Sequence, residues 1–126
     1  MSDDLEPVQF MTTENGDDLI VSFYVAGPQD PSDGRSIILM RGMKWEQLLP
    51  ESERGVTISD EAFPAYDDAL DNDLEEVQID DTVAEIKTKH RRYKLDLRYV
   101  DQSELKAAKK ILKKMNYDGR FQLTIG

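Results

Sequence analysis

The side chains able to do chemistry in this chain are nearly all carboxylates and ammonium groups. Residues 60–81 hold ten acids and no base. Asp67, Asp68, Asp71, Asp73, Glu75 and Glu76 have the density of a calcium loop, because the ion takes roughly six to eight oxygen ligands. The EF-hand spacing is nevertheless missing. Counted from Asp67 or from Asp71, no glycine stands at the sixth position and no glutamate at the twelfth. The stretch 60–73 therefore reads as a solvated acidic loop, and no metal site is expected.

Nucleophilic and redox chemistry lack their parts. The chain has no cysteine, which removes thiolate nucleophiles, disulfides and cysteine-based zinc or iron–sulfur sites. The single histidine, His90, lies in the basic run Lys89–Arg92 and cannot form a histidine cluster. Serine, histidine and aspartate are all present, but a triad is defined by geometry, and no spacing here brings one together. The phosphate-cradling glycine loop, the dinucleotide glycine fingerprint, HExxH and the nucleophile elbow are all missing. The expectation is a non-catalytic protein with no catalytic residue and no cofactor.

The bases carry the remaining signal. Lys106, Lys109, Lys110, Lys113 and Lys114 crowd one short run, and Arg91, Arg92, Lys94 and Arg98 precede it. These nine residues form the candidate interaction surface. Charge is uneven: residues 1–86 hold 22 acids against 4 bases, and residues 87–126 hold 4 acids against 12 bases. Such asymmetry points to an electrostatic partner or to pairing within the fold. The leading reading is a protein-interaction or accessory module of a soluble intracellular complex, its partner an unknown protein. The alternative is nucleic-acid binding through the basic 87–120 surface, with Tyr93 and Tyr99 available to stack bases. Two facts oppose it. Both tyrosines share the apolar parity of their strand, and the net charge of −10 repels phosphate at long range. A related expectation is that the acidic 60–76 segment lies near the basic surface and partly neutralises it.

Such residues need positioning elements, and the C-terminal half supplies the clearest. Asp101-Gln102-Ser103-Glu104 is an aspartate form of the capping box, with Asp101 as N-cap and Glu104 at N3 reaching back to the cap. The helix then runs to Met115, with Asn116 as a left-handed stop. At 100° per residue Leu105, Ala108, Ile111, Leu112 and Met115 share one stripe, and the five lysines fill the other side. Tyr93, Leu95, Leu97 and Tyr99 alternate with Lys94, Asp96 and Arg98, the mark of a half-buried strand. Phe121, Leu123 and Ile125 repeat the alternation after the helix, which predicts a final strand parallel to 93–99 but not necessarily its neighbour. Ala84, Ile86 and Thr88 have the opposite parity, so a turn at Lys89–Arg92, or else a bulge, must intervene. Val77 and Ile79 form one more strand, turning at Asp80-Asp81.

The N-terminal half is weaker in pattern. Residues 1–6 read as frayed. Asn15-Gly16 signals a two-residue type I′ hairpin that sets Thr12 opposite Leu19, Phe10 opposite Val21 and Val8 opposite Phe23. Ser36–Arg41 is a largely apolar, central strand. Trp45, Leu48 and Leu49 fit one helical turn before Pro50, with Trp45 in the core, and Val56 and Ile58 mark a short strand. The sum is one domain, 1–126, of the α+β class: an antiparallel-rich, mixed sheet of about seven or eight short strands, with one principal C-terminal amphipathic helix packed on one face. The longest apolar run is Ile37–Met40, and the start is acidic with no apolar leader, so neither a signal peptide nor a membrane span is expected and the cytoplasm is the default.

Overall fold

The computed structural model of the protein describes residues 5–27, 34–50, 55–60, 74–88 and 91–126, without the side chain of Trp45. The chain runs β1 (Glu6–Asn15), β2 (Leu19–Val25), β3 (Arg35–Arg41), α1 (Met43–Glu46), β4 (Thr57–Asp60), β5 (Leu74–Ile79), β6 (Val83–Thr88), β7 (Arg92–Asp96), α2 (Gln102–Met115) and β8 (Gln122–Ile125). The eight strands form one mixed sheet in the order β4-β3-β2-β1-β7-β6-β5-β8. Pairing is antiparallel except at β1–β7 and β5–β8. The α+β reading holds, with α2 packed against the sheet as its one long helix among the described residues.

The β7–α2–β8 unit places the last strand as its pattern requires. β8 runs parallel to β5 and hence to β7, and the crossover carries the chain past β6 and β5 to the edge of the sheet. The parity change between β6 and β7 is a hairpin, with Lys87 opposite Arg92 and Ile86 opposite Tyr93. Thr88 closes it by donating its N–H to the Arg91 carbonyl at 2.8 Å. Lys89 and His90 lie outside the described residues. The sheet curls enough to bring β4, at one end of the strand order, against the other half. Tyr93 Oη donates to Asp60 Oδ2 at 3.2 Å, and Leu74 N–H donates to the Val56 carbonyl at 3.3 Å. One core results, shared by the inner faces of both halves and the apolar stripe of α2.

The first hairpin departs from its expected register. Asn15 pairs with Leu19 around a Gly16–Asp18 loop, and Met11 pairs with Phe23. Among the described residues no non-glycine has positive φ, nor does Gly16, so the type I′ turn does not form. A shift of three residues exchanges the faces of β1. Met11 is buried, whereas Phe10 is exposed and stacks on Tyr24 with ring centroids 4.9 Å apart. A bulge between Val8 and Phe10 then turns Val8 back into the core. At the other end of β2, Gly34 is required because a Cβ there would stand 2.1 Å from the Val25 carbonyl oxygen.

α2 begins where its cap predicts. Asp101 Oδ1 accepts from the Ser103 N–H at 2.8 Å. Glu104, however, does not close the capping box. Its Oε1 accepts the Met11 N–H at 2.9 Å, on the side of β1 that meets β7 only at Glu6 and Pro7. This capping carboxylate therefore serves an open stretch of strand and ties the helix to β1. Asn116 is not left-handed (φ −99°), and Gly119 takes that conformation three residues later (φ 68°). Leu105, Ala108, Ile111, Leu112 and Met115 are all buried. Two further expectations change. β7 is short, so Tyr99 falls in the following turn and is exposed while Val100 enters the core. α1 ends before Leu48 and Leu49, which are exposed. Of residues 1–6, Glu6 belongs to β1, and 1–4 lie outside the described residues.

Candidate interaction surface

The nine residues singled out from sequence do not form one surface. Lys106, Lys110 and Lys113 stand exposed on α2 and make no hydrogen bond or ion pair with any described residue. Lys109 lies between them at helical spacing but is half-buried. Its Nζ reaches Asp81 Oδ1 at 2.6 Å and the Gly126 carbonyl at 3.5 Å. Lys114 Nζ donates to Asn15 Oδ1 at 2.6 Å. Two of the five lysines, Lys109 and Lys114, thus pin α2 to the β5–β6 and β1–β2 turns. Between the remaining lysines runs a shallow groove of about 610 Å³ floored by Ala107 and the lysine stems.

The other four bases lie elsewhere. Arg92 and Lys94 project from the outer face of β7, whose inner residues Tyr93 and Leu95 share the core with α2, so the core separates them from the helix lysines. Arg92 lines a small cavity of about 200 Å³ with Glu76, Gln78, Glu85 and Lys87, a mixed-charge patch. Arg91 is half-buried beside Tyr93. Arg98 is held by Asp96, Nε at 3.0 Å and Nη2 at 2.8 Å, and its guanidinium stands 5.8 Å from the centre of the Tyr99 ring. The Asp96 carboxyl is drawn below the usual range by that guanidinium, with the Arg98 N–H adding to the effect.

Two clusters of charge escaped the sequence reading because their partners are far apart in the chain. Arg41 is buried at the end of β3. Nε and Nη2 donate to Glu46 at 2.6 and 2.7 Å, Nη1 and Nη2 donate to Asp118 at 2.8 Å each, and Nη1 also reaches the Met115 carbonyl. The Tyr117 ring covers the guanidinium at 4.5 Å. All five N–H donors of the fork are satisfied. The guanidinium holds the Asp118 carboxyl far below the usual range and lowers Glu46 as well. In the second cluster Arg35 donates to Glu6 at 2.8 and 3.2 Å and to buried Asp60 at 2.8 Å. Burial, with the Asp60 charge second, pushes the Tyr93 phenol up to about 12. One signal was present in the sequence for both. Ile37, Leu39, Arg41 and Val56, Ile58, Asp60 each continue an apolar parity with a charge.

Chemically, both clusters are closed. Each guanidinium is committed to carboxylates, and Asp60 divides its oxygens between Arg35 and Tyr93. They staple strands and helix ends. No group of three or more metal-ligating side chains occurs among the described residues, and Asp67, Asp68, Asp71 and Asp73 lie outside them. No helix among the described residues is long and apolar enough to cross a membrane. The chain matches no family model, no curated protein and no solved structure.

Proposed function

We propose that the protein is a non-catalytic interaction module that receives an acidic segment of a protein partner on the lysine face of α2, as part of a cytoplasmic complex. One observation carries this reading. In a chain of net charge −10, Arg35, Arg41, Lys44, Lys87, Arg98, Lys109 and Arg120 are each paired with a carboxylate. Lys106, Lys110 and Lys113 pair with no described residue and stand together on a helix whose other side is anchored in the core, whereas Arg92 and Lys94, also unpaired among the described residues, lie apart on β7. Unpaired ammonium groups of one sign on a stiff surface steer and orient an anionic partner. The absence of cysteine suits a reducing compartment.

Nucleic acid is the second reading. The exposure of Tyr99, 69 %, favours it by removing one objection to stacking. The buried Tyr93 and the separation of the helix lysines from Arg92 and Lys94 weigh against it. A titration with fluorescent polyglutamate and with duplex DNA, at about 20 and 200 mM salt, tests both. Polyglutamate should bind at low salt, weaken at high salt, and fail to bind the Lys106→Glu/Lys110→Glu/Lys113→Glu variant. No binding of polyglutamate at low salt refutes the proposal. Tighter binding of DNA than of polyglutamate moves the assignment to the second reading.

A further inference from the structure

Among the described residues, no strand covers the edge of the sheet next to the lysine groove. β8 pairs with β5 on one side and with no described strand on the other. Gly126 donates its N–H to the Ile79 carbonyl at 2.9 Å. In a strand, alternate residues direct both backbone groups to the same side, so Gln122 and Thr124 also face β5. The N–H and C=O groups of Leu123 and Ile125 therefore point to the open edge. Natural edges are kept from pairing by shortness, charged side chains, proline, a bulge or a covering helix or loop. β8 is short, at four residues, but Gln122-Leu123-Thr124-Ile125 carries no charge, proline or bulge. Edge backbone of this kind is the template on which an extended chain adds as a further strand.

The occupant follows from what flanks the edge. Lys109 reaches the Gly126 carbonyl, so the side of α2 that carries it borders the end of β8. Lys106 and Lys113 share that side, at i−3 and i+4. Along a helix such neighbours are spaced by about 4.5–6 Å, and same-face residues of a strand by about 6.6 Å. A strand added to β8 continues the inward row of Leu123 and Ile125, the row on the side of α2, so its inward side chains run toward the Lys106 and Lys113 ammonium groups, with Lys109 between them held by Asp81. A second copy of this chain is disfavoured. Edge-to-edge pairing through β8 would set two lysine stripes side by side. We infer that β8 and the Lys106–Lys109–Lys113 stripe together accept an extended acidic segment of a partner, with carboxylates at alternate positions, by strand addition.

This inference rests on the acidic-partner reading and adds the mode of binding, so the experiment must separate the two. The probe is a capped octapeptide alternating glutamate and valine, with its lysine–valine counterpart as control. The readout is residue-resolved amide exchange by NMR. In the free protein the Leu123 and Ile125 amides should exchange fast and Thr124 slowly. With the glutamate peptide, Leu123 and Ile125 should be slowed at least tenfold. The lysine peptide should leave them unchanged, as should the glutamate peptide added to the Lys106→Glu/Lys113→Glu variant. Protection of Leu123 and Ile125 in the free protein would overturn the inference, because the edge would already be covered. Lysine resonances that shift with salt-sensitive affinity, while both amides stay fast, would overturn strand addition and leave the acidic-partner reading standing. If the peptide shifts no lysine resonance at low salt, both fall.

Discussion

Replacing Arg41 with methionine should be the most damaging single change on the Arg41 side of the fold. Methionine follows the alkyl stem but removes the guanidinium from between Glu46 and Asp118. The Glu46 side chain is only 7 % exposed and keeps one weak donor, the Gly55 N–H at 3.2 Å. Asp118, 26 % exposed, keeps Arg120. Removing one partner of a buried ion pair costs about 3–5 kcal/mol, because a charge is left uncompensated. With a urea m-value of about 2 kcal/mol/M, the midpoint should fall by about 1.5–2.5 M. The pH dependence gives a sharper test. In the native protein both carboxyls sit below their usual values, so their stabilisation is full above about pH 4 and is lost as pH falls through the depressed folded values. In the variant burial remains without the cation, so the Glu46 carboxyl should rise above its unfolded value, and protonation should relieve the strain. The stability difference between parent and variant should therefore be largest near pH 7 and shrink below about pH 4. Urea melts at pH 3, 5 and 7, followed by circular dichroism, measure it. A difference that stays constant or grows toward pH 3 would refute the assignment of Arg41 as the neutralising centre.

The faces of α2 predict that Leu112→Ala, at a fully buried site, costs about 2–5 kcal/mol, while Lys113→Ala costs under about 0.5 kcal/mol; equal urea midpoints would reject the assignment. Glu104→Ala should cost about 1–3 kcal/mol by orphaning the Met11 N–H, and the Met11 amide should exchange faster in that variant than Thr12 or Glu14, whose backbone groups face β2. Tyr93 should ionise late, near pH 12, and Tyr93→Phe should delete that late step in a spectrophotometric titration at 295 nm. Because its folded value is raised, the stability Tyr93 contributes is present below about pH 10 and lost as pH rises toward 12.

What was legible in the sequence was local periodicity. α2, its N-cap and its buried stripe follow from residues a few positions apart, and β7 and β8 from alternation by two. The parity change between Thr88 and Tyr93 correctly demanded a turn. What failed depended on partners distant in the chain. Glu104 leaves its own cap for a backbone N–H 93 residues away, because β1 there has no strand neighbour to accept from it. Phe10 and Met11 exchange faces, because the register of the first hairpin is fixed by Met11 packing opposite Phe23 rather than by the turn preference of Asn15-Gly16. Tyr99 follows the strand pattern, but the chain turns at Asp96, which takes the N–H and the guanidinium of Arg98. A periodicity argument assumes that the element continues, and Asp96, three residues before the expected end, is where it stops.

The charge split along the chain is not a split in space. Bases of the second half meet acids from several elements. Lys109 meets Asp81, Lys87 stands 4.0 Å from Glu75, and Arg98 and Arg120 pair with aspartates two residues before them. Arg35 and Arg41, two of the four bases in the first 86 residues, are each held by two carboxylates, one of which, Asp118, comes from the second half. Of the acids in 60–76, Asp60, Glu75 and Glu76 fall within the described residues; Asp60 holds Arg35 and Tyr93, Glu75 stands beside Lys87, Glu76 accepts from Gln78, and none of these partners is on α2. The lysines of α2 that do pair use groups at the turns, Asp81 and Asn15. Compensation is thus local, and among the described residues the bases without a carboxylate partner fall into two groups, the lysines on the outer side of α2 and Arg92 and Lys94 across the core on β7. The proposed interaction surface belongs to the first group: it narrows from nine candidate bases to the stripe of Lys106, Lys110 and Lys113, with Lys109 joining it to the edge of β8.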